Sequence, residues 1–174
     1  MVKLNLGCHN TIKPGYINVD KDHYPGVDMV ADVFDLNLPE NHADEIHASN
    51  ILEHAPHRET LNILKHWYGI LKEDGILQIS VPNFDILMKA YQEQGLCNWV
   101  RNQIWGDQEY NGAFHYTSFT EKTLTEYLKQ AGFREANRVE RLPGSTIHEC
   151  SNNRVYGSKY LEGEFVSLNM VAIK

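Results

Sequence analysis

The sequence has no run of roughly 18 consecutive apolar residues, so a membrane-spanning helix of ordinary length is excluded. It also lacks an N-terminal basic region followed by an apolar stretch, so no secretory leader is expected. Cysteine is scarce. Cys8, Cys97 and Cys150 are three, far apart, and form no C-x-x-C pair. That pattern excludes a disulfide framework and a zinc ribbon and fits a reducing, cytoplasmic setting. Basic residues are outnumbered, 16 against 23 acidic, for a net charge of −7, and they form no block. Nucleic acid is therefore not an expected partner, because phosphate backbones are gripped by clustered cations. A P-loop and a G-x-G-x-x-G turn are missing too, so the usual nucleotide and dinucleotide signatures do not apply.

What is present suits one folded domain over 1–174. Hydrophobic residues make up 42% of the chain, with three Trp, nine Tyr and six Phe. Apolar strand-like runs alternate with helix-like segments, the pattern of a mostly parallel α/β sheet. Val2–Leu6, Tyr16–Val19, Asp28–Ala31, Ala43–Ser49 and Ile76–Val81 read as strands. Arg58 to Gly75 carries Leu61, Leu64, Tyr68 and Leu71 on one helical face, and Glu73-Asp74-Gly75 is expected to end that helix. Phe84, Leu87, Met88 and Tyr91 repeat helical spacing. A further helix is expected from a Ser118–Glu121 capping box to Gly132. Arg134–Leu142 and Glu164–Ile173 look extended, as an antiparallel pair at the sheet edge joined by a long loop. Only Gly7 to Gly15 separates the first strand from the second, which is too short for a normal crossover helix. One face of the sheet should be thinly covered there.

Ligands of open α/β sheets sit beyond the carboxyl ends of the strands, so the residues just past each strand carry the functional information. Gly7 offers a bare backbone, and Asp20 is an acceptor suited to vicinal ribose hydroxyls. Asp32 can accept from an exocyclic amine, and backbone carbonyls at Ser49 and Asn50 can take an ammonium. Each feature alone is also what an ordinary turn or helix cap would contain. Their ordered recurrence points to a nucleoside carrying an amino-acid tail.

The stretches "KLNLGC", "PGYINVD", "ADEIHASNILEH", "LKEDGILQISVPN" and "FTEKTLTEYLKQAGF" occur in that order. Together they resemble the class I S-adenosylmethionine-dependent methyltransferases, in particular the compact branch related to the type 11 domain. The resemblance implies a Rossmann-like, seven-stranded sheet of order 3-2-1-4-5-7-6 with the seventh strand antiparallel. It also implies S-adenosyl-L-methionine as cofactor, held by Asn5, Gly7, Cys8, His9, Asp20, Asp32, Val33, Ser49 and Asn50. Two positions depart from the family pattern: His9 replaces a second glycine, and Asn5 replaces an acidic residue.

Methyl transfer is an in-line displacement, so the protein mainly aligns the reactants, and a base is needed only where the acceptor must lose a proton. His115 and His54 are the candidate bases. Trp105, Tyr110, Phe114 and Tyr116 are candidate walls for a flat or apolar acceptor. The only close metal-ligand pairs, His54/His57 and His148/Cys150, do not amount to a site, so no metal is expected. The expected acceptor is a small molecule or a glycan or metabolite precursor. The alternative is a weakly active or inactive relative that binds a nucleoside or a protein. With no helices ahead of the first strand to shape acceptor choice, the expectation is either an open acceptor site or one completed by a neighbouring subunit in a homodimer.

Overall fold

The structure is a computed structural model that describes residues 1–110, 112–144, 161 and 163–174. The strands are β1 (Lys3–Leu6), β2 (Ile17–Asp20), β3 (Met29–Val30), β4 (Ala43–Ser49), β5 (Leu71–Pro82), β6 (Glu135–Val139) and β7 (Ser167–Ile173). Among the described residues the helices are α1 (Thr60–Ile70), α2 (Phe84–Gln94), α3 (Asn98–Trp105) and α4 (Glu121–Ala131), with a 3₁₀ turn at Leu52–His54. The sheet order is β3-β2-β1-β4-β5-β7-β6. β1 to β5 pair in parallel, and β7 runs antiparallel to both β5 and β6. The expected topology therefore holds, including the antiparallel edge pair and the absence of a helix between β1 and β2.

Alternation along the strands sorts two unlike faces. Leu4, Leu6, Val19, Ile46, Ala48, Leu77, Ile79, Leu168 and Met170 form one core with Leu64 and Trp67 of α1 and Leu124 and Leu128 of α4. The other face carries Asn18, Asn5, His47 and Gln78 in one cross-strand row, and all four are buried. Burying such groups is tolerable only when they are hydrogen-bonded. Asn5 Nδ2 donates to Asn18 Oδ1 at 2.9 Å, and Gln78 Nε2 donates to Glu45 Oε1 at 2.7 Å. Lys3 pairs with Glu45 at 2.7 Å, and the Tyr16 hydroxyl donates to the same carboxylate. Where the crossover helix is missing, the cover comes from the β1–β2 loop, and the sheet answers with a polar surface.

Three local expectations are corrected. The helix over 58–75 stops at Ile70, because Leu71 already turns extended and starts β5. In Glu73-Asp74-Gly75 the positive φ falls on Asp74 (62°) within a bulge where register jumps from Ala43–Leu71 to Glu45–Ile76. Gly75 is required there for space: a Cβ would lie 2.7 Å from the Lys72 carbonyl oxygen. The capping box of α4 is formed by Thr120 and Thr123, not by Ser118 and Glu121. The helix expected from Phe84, Leu87, Met88 and Tyr91 forms as α2, with Ile86, Leu87 and Ala90 on its buried face. α3 is a helix beyond those expected from the sequence, with Val100 and Ile104 at i, i+4 spacing. Most of the long loop between β6 and β7, and with it the His148–Cys150 pair, lies outside the described residues.

Candidate active site

Gly7 ends β1 at φ +65°, and a Cβ there would meet Ile51 at 2.7 Å. Its glycine is thus demanded by the turn and by Ile51, before any ligand is considered. The amides of Gly7 and Cys8 both donate to the Val19 carbonyl, at 2.9 and 3.1 Å, tying this turn to β2. His9 follows at φ 45°, in the left-handed region that favours glycine. Its ring packs edge-on against Tyr24, with centroids 4.4 Å apart. The Cys8 thiol is buried, and burial together with nearby Asp20 pushes it up to about 11, so it stays protonated and unreactive.

Asp20, at the end of β2, is only 8% exposed. Its Oδ2 accepts from the His9 amide at 2.8 Å and its Oδ1 from the Asp22 amide at 3.0 Å. One carboxylate therefore braces the turns after β1 and β2 while retaining lone pairs for a ligand. Asn5 has spent both amide hydrogens, on Thr11 O and on Asn18 Oδ1, each at 2.9 Å, to hold the β1–β2 loop. Asp32 accepts from the Phe34 amide at 2.9 Å, and the buried Val33 is fixed by Trp67 Nε1 donating to its carbonyl at 2.9 Å.

Two cavities open over these strand ends. The smaller, about 220 Å³, includes Asp20, Asp32 and Val33 in its lining, with Tyr24, Phe114 and Tyr116. The larger, about 450 Å³, includes Asn5, Cys8, Ser49, Glu53 and His115, with Gln103 from α3. Gly7, His9, Asn50, His54 and Tyr110 line both, so the two form one groove running across β2, β1 and β4. Of the four expected acceptor-wall residues, Tyr110 borders both chambers, whereas Phe114 and Tyr116 stand at the Asp20–Asp32 end. Trp105 is 44% exposed and lines neither cavity.

Beyond β4, the 3₁₀ turn carries Glu53 and His54, and the irregular 113–117 segment is pinned against it. The amides of Tyr116 and Thr117 donate to the Glu53 carbonyl at 2.8 and 3.2 Å, and Thr117 Oγ1 donates to Ala55 O at 2.8 Å. His115 is thereby held against His54, ring centroids 4.8 Å apart and nearly perpendicular. His54 Nδ1 lies 3.0 Å from Phe114 O, and His115 Nδ1 lies 3.0 Å from Gln103 O. A carbonyl can only accept, so each ring carries its proton on Nδ1 and keeps the Nε2 lone pair. Burial, and then repulsion from His115, brings His54 down to about 4; burial also lowers His115. Both rings are neutral at pH 7.

Glu53 was absent from the sequence-based site, although a charged residue inside the apolar "ILEHA" was a visible signal. It is wholly buried, and neither carboxylate oxygen has a hydrogen-bond partner. Burial pushes it up to about 8, opposed by its own backbone amide and the Asn50 side chain, neither of which reaches it in hydrogen-bonding geometry.

The 113–117 segment depends on Gly106, which ends α3 at φ +78°. A Cβ there would fall 1.6 Å from the Ala113 carbonyl oxygen. Gly106→Ala is expected to push this segment outward and cost at least about 2 kcal/mol, read as a lower urea midpoint at unchanged slope.

The profile of a methyltransferase domain family matches residues 9–136. No curated protein matches the sequence. Among solved structures, a SAM-dependent methyltransferase from Archaeoglobus fulgidus superposes with a TM-score of 0.63 at 16% identity, over 99% of this chain and 85% of that one. A SAM-dependent methyltransferase from Thermotoga maritima gives 0.61 at 18% identity, over 99% and 82%. The 1,6-didemethyltoxoflavin-N1-methyltransferase of Burkholderia thailandensis, solved with its acceptor and S-adenosylhomocysteine, gives 0.60 at 19% identity, over 99% and 70%. Identities this low speak for the fold.

Proposed function

Because the chain belongs to the methyltransferase domain family, we propose that it moves a methyl group from S-adenosylmethionine, lying along the groove, to a small-molecule acceptor in the larger cavity. The observation that carries this is Asp20, a carboxylate held at the lip of the smaller cavity together with Asp32 and Val33. The residues suit the cofactor. Asp20 keeps acceptor lone pairs where ribose hydroxyls need them, and Asp32 stands by for a base amine. The smaller cavity joins directly to the larger one, whose size is in the ordinary range for a ligand pocket. When bound, the cofactor supplies both the methyl group and a neutral thioether leaving group.

The chain's own residues then have three tasks. Asp20 and the turns it braces orient the nucleoside. Phe114 and Tyr116, whose rings stack with centroids 6.3 Å apart, wall off water at that end. His54 and His115, neutral and with Nε2 lone pairs uncommitted to the backbone, receive the acceptor's proton or hold its hydroxyl. Alignment alone can lower such a barrier by roughly 7–11 kcal/mol. A metabolite-sized acceptor suits a cavity of about 450 Å³, and the B. thailandensis enzyme, crystallised with a small heterocycle, is a fold-level parallel.

Titration calorimetry with S-adenosylhomocysteine is expected to show saturable one-to-one binding, and a panel of hydroxylated and amine metabolites to include a methylated product. Absence of saturable heat with both S-adenosylmethionine and S-adenosylhomocysteine would overturn the reading.

A further inference from the structure

We propose that Glu53, His54 and His115 form a binding site for one divalent transition-metal cation at the floor of the larger cavity. One ligand atom from each of the three lies within 4.8 Å of the others. All three side chains line the same chamber. Two further observations point to a cation. Both imidazole δ nitrogens sit 3.0 Å from backbone carbonyls, of Phe114 and Gln103, which fixes the ε nitrogens as the free donors. Metal-ligating histidines are oriented by this same arrangement, with the second ring nitrogen donating to a carbonyl or carboxylate. In addition, both oxygens of the fully buried Glu53 lack a hydrogen-bond partner. A buried polar group without a partner calls for a specific cause, and an ion is one of the few that serve a carboxylate.

Two imidazoles and one carboxylate favour a first-row transition cation over magnesium or calcium, which prefer an all-oxygen shell. Ligand atoms about 2.1 Å from a metal in tetrahedral array lie about 3.4 Å apart, so binding draws the trio together by roughly an ångström. Of the His54/His57 pair visible in the sequence only His54 belongs to the trio, and the His148/Cys150 pair lies outside the described residues. Glu53 and His115 are 62 positions apart and meet because the Tyr116 and Thr117 amides bond to Glu53 O, with Thr117 Oγ1 on Ala55 O and His54 Nδ1 on Phe114 O beside them. Three protein ligands leave coordination positions facing the cavity, the place for a hydroxyl or carboxylate oxygen of an acceptor, and in the loaded protein the cation, holding both ε nitrogens, takes over from the imidazoles in activating that oxygen. Only that last step rests on the methyl-transfer reading; cation binding itself does not.

The test uses the whole protein stripped with EDTA and titrated with Co²⁺, followed by visible d–d absorption and calorimetry without any cofactor. The expected result is one equivalent bound, with absorption marking nitrogen ligation, and a higher melting temperature for the loaded protein. Glu53→Gln and His115→Gln are each expected to weaken binding about 100-fold or more. Their circular dichroism and melting curves establish that they are folded; should His115→Gln fail to fold, Glu53→Gln, which preserves side-chain volume, still decides. Equal affinity in parent and variants would place the cation on surface histidines and overturn the proposal, as would no stoichiometric binding by the parent. Co²⁺ binding without S-adenosylhomocysteine binding would sustain the cation site and sink the methyl-transfer reading alone, and the reverse outcome would do the opposite.

Discussion

Asp20→Asn is expected to weaken S-adenosylhomocysteine binding about 10- to 100-fold and to destabilise the fold by roughly 1.5–3 kcal/mol. The reason is the position of its two oxygens. One accepts from the His9 amide at 2.8 Å, the other from the Asp22 amide at 3.0 Å. An asparagine must replace one oxygen by an NH₂ group, which would point a donor at a donor. It also removes the charge that strengthens the remaining bond and any bond to a ribose hydroxyl. The two effects are separable. Urea denaturation without ligand reads the bracing of the turns, while calorimetry below the denaturation range reads the ligand. Unchanged calorimetric affinity in a folded Asp20→Asn protein would remove the nucleoside role from this residue.

The metal-free protein is expected to lose stability as pH rises above neutrality, and Glu53→Gln is expected to abolish that loss. Burial raises Glu53 from 4.5 to about 8, so between those values the folded state holds a proton that the unfolded chain has released. Stability therefore falls as pH rises through that window, and above it the full penalty applies. His54 works in the opposite sense. Lowered from 6.5 to about 4, it makes the unfolded chain the better proton binder, so stability falls as pH drops through that range. From these two groups the slopes cancel between about pH 4.5 and 6.5, and the Glu53 penalty emerges alone above that. At pH 8.5 Glu53→Gln is expected to exceed the parent by an amount on the order of 3–5 kcal/mol, at about 1.4 kcal/mol per pH unit. Thermal melts in EDTA at pH 6 and pH 8.5 make the comparison. A parent curve that does not fall between them would mean that Glu53 is hydrated or paired in solution.

The sheet was legible because its strands are short apolar runs whose ends carry distinctive residues. Gly7, Asp20 and Asp32 could be placed at strand ends from order and spacing alone, and the groove does gather them. Even the missing crossover helix followed from counting Gly7 to Gly15. The polar face of the sheet was also written in the chain, in the alternation of "KLNL", "EIHAS" and "LQIS". Alternation, however, says only that two faces differ. Whether the polar one meets water or is buried under a loop depends on what packs over it.

Local chemistry went wrong where two signals competed at close range. At Glu73-Asp74-Gly75 a helix stop was the natural reading, yet β4 recruits Leu71 into pairing first and turns the same residues into a bulge. At Ser118–Glu121 the capping pattern was right in kind but displaced, because Thr120 and Thr123 close the box.

The order of residues by itself determined the parallel sheet, its antiparallel edge and the acidic residues at the ends of β2 and β3, since these depend on periodicity and on neighbours close in the chain. Only the tertiary structure decided that Glu53, His54 and His115 meet in one corner of the groove. That meeting depends on backbone amides of Tyr116 and Thr117 reaching the Glu53 carbonyl across some 60 intervening residues, and main-chain hydrogen bonds of that range leave no mark on side-chain pattern.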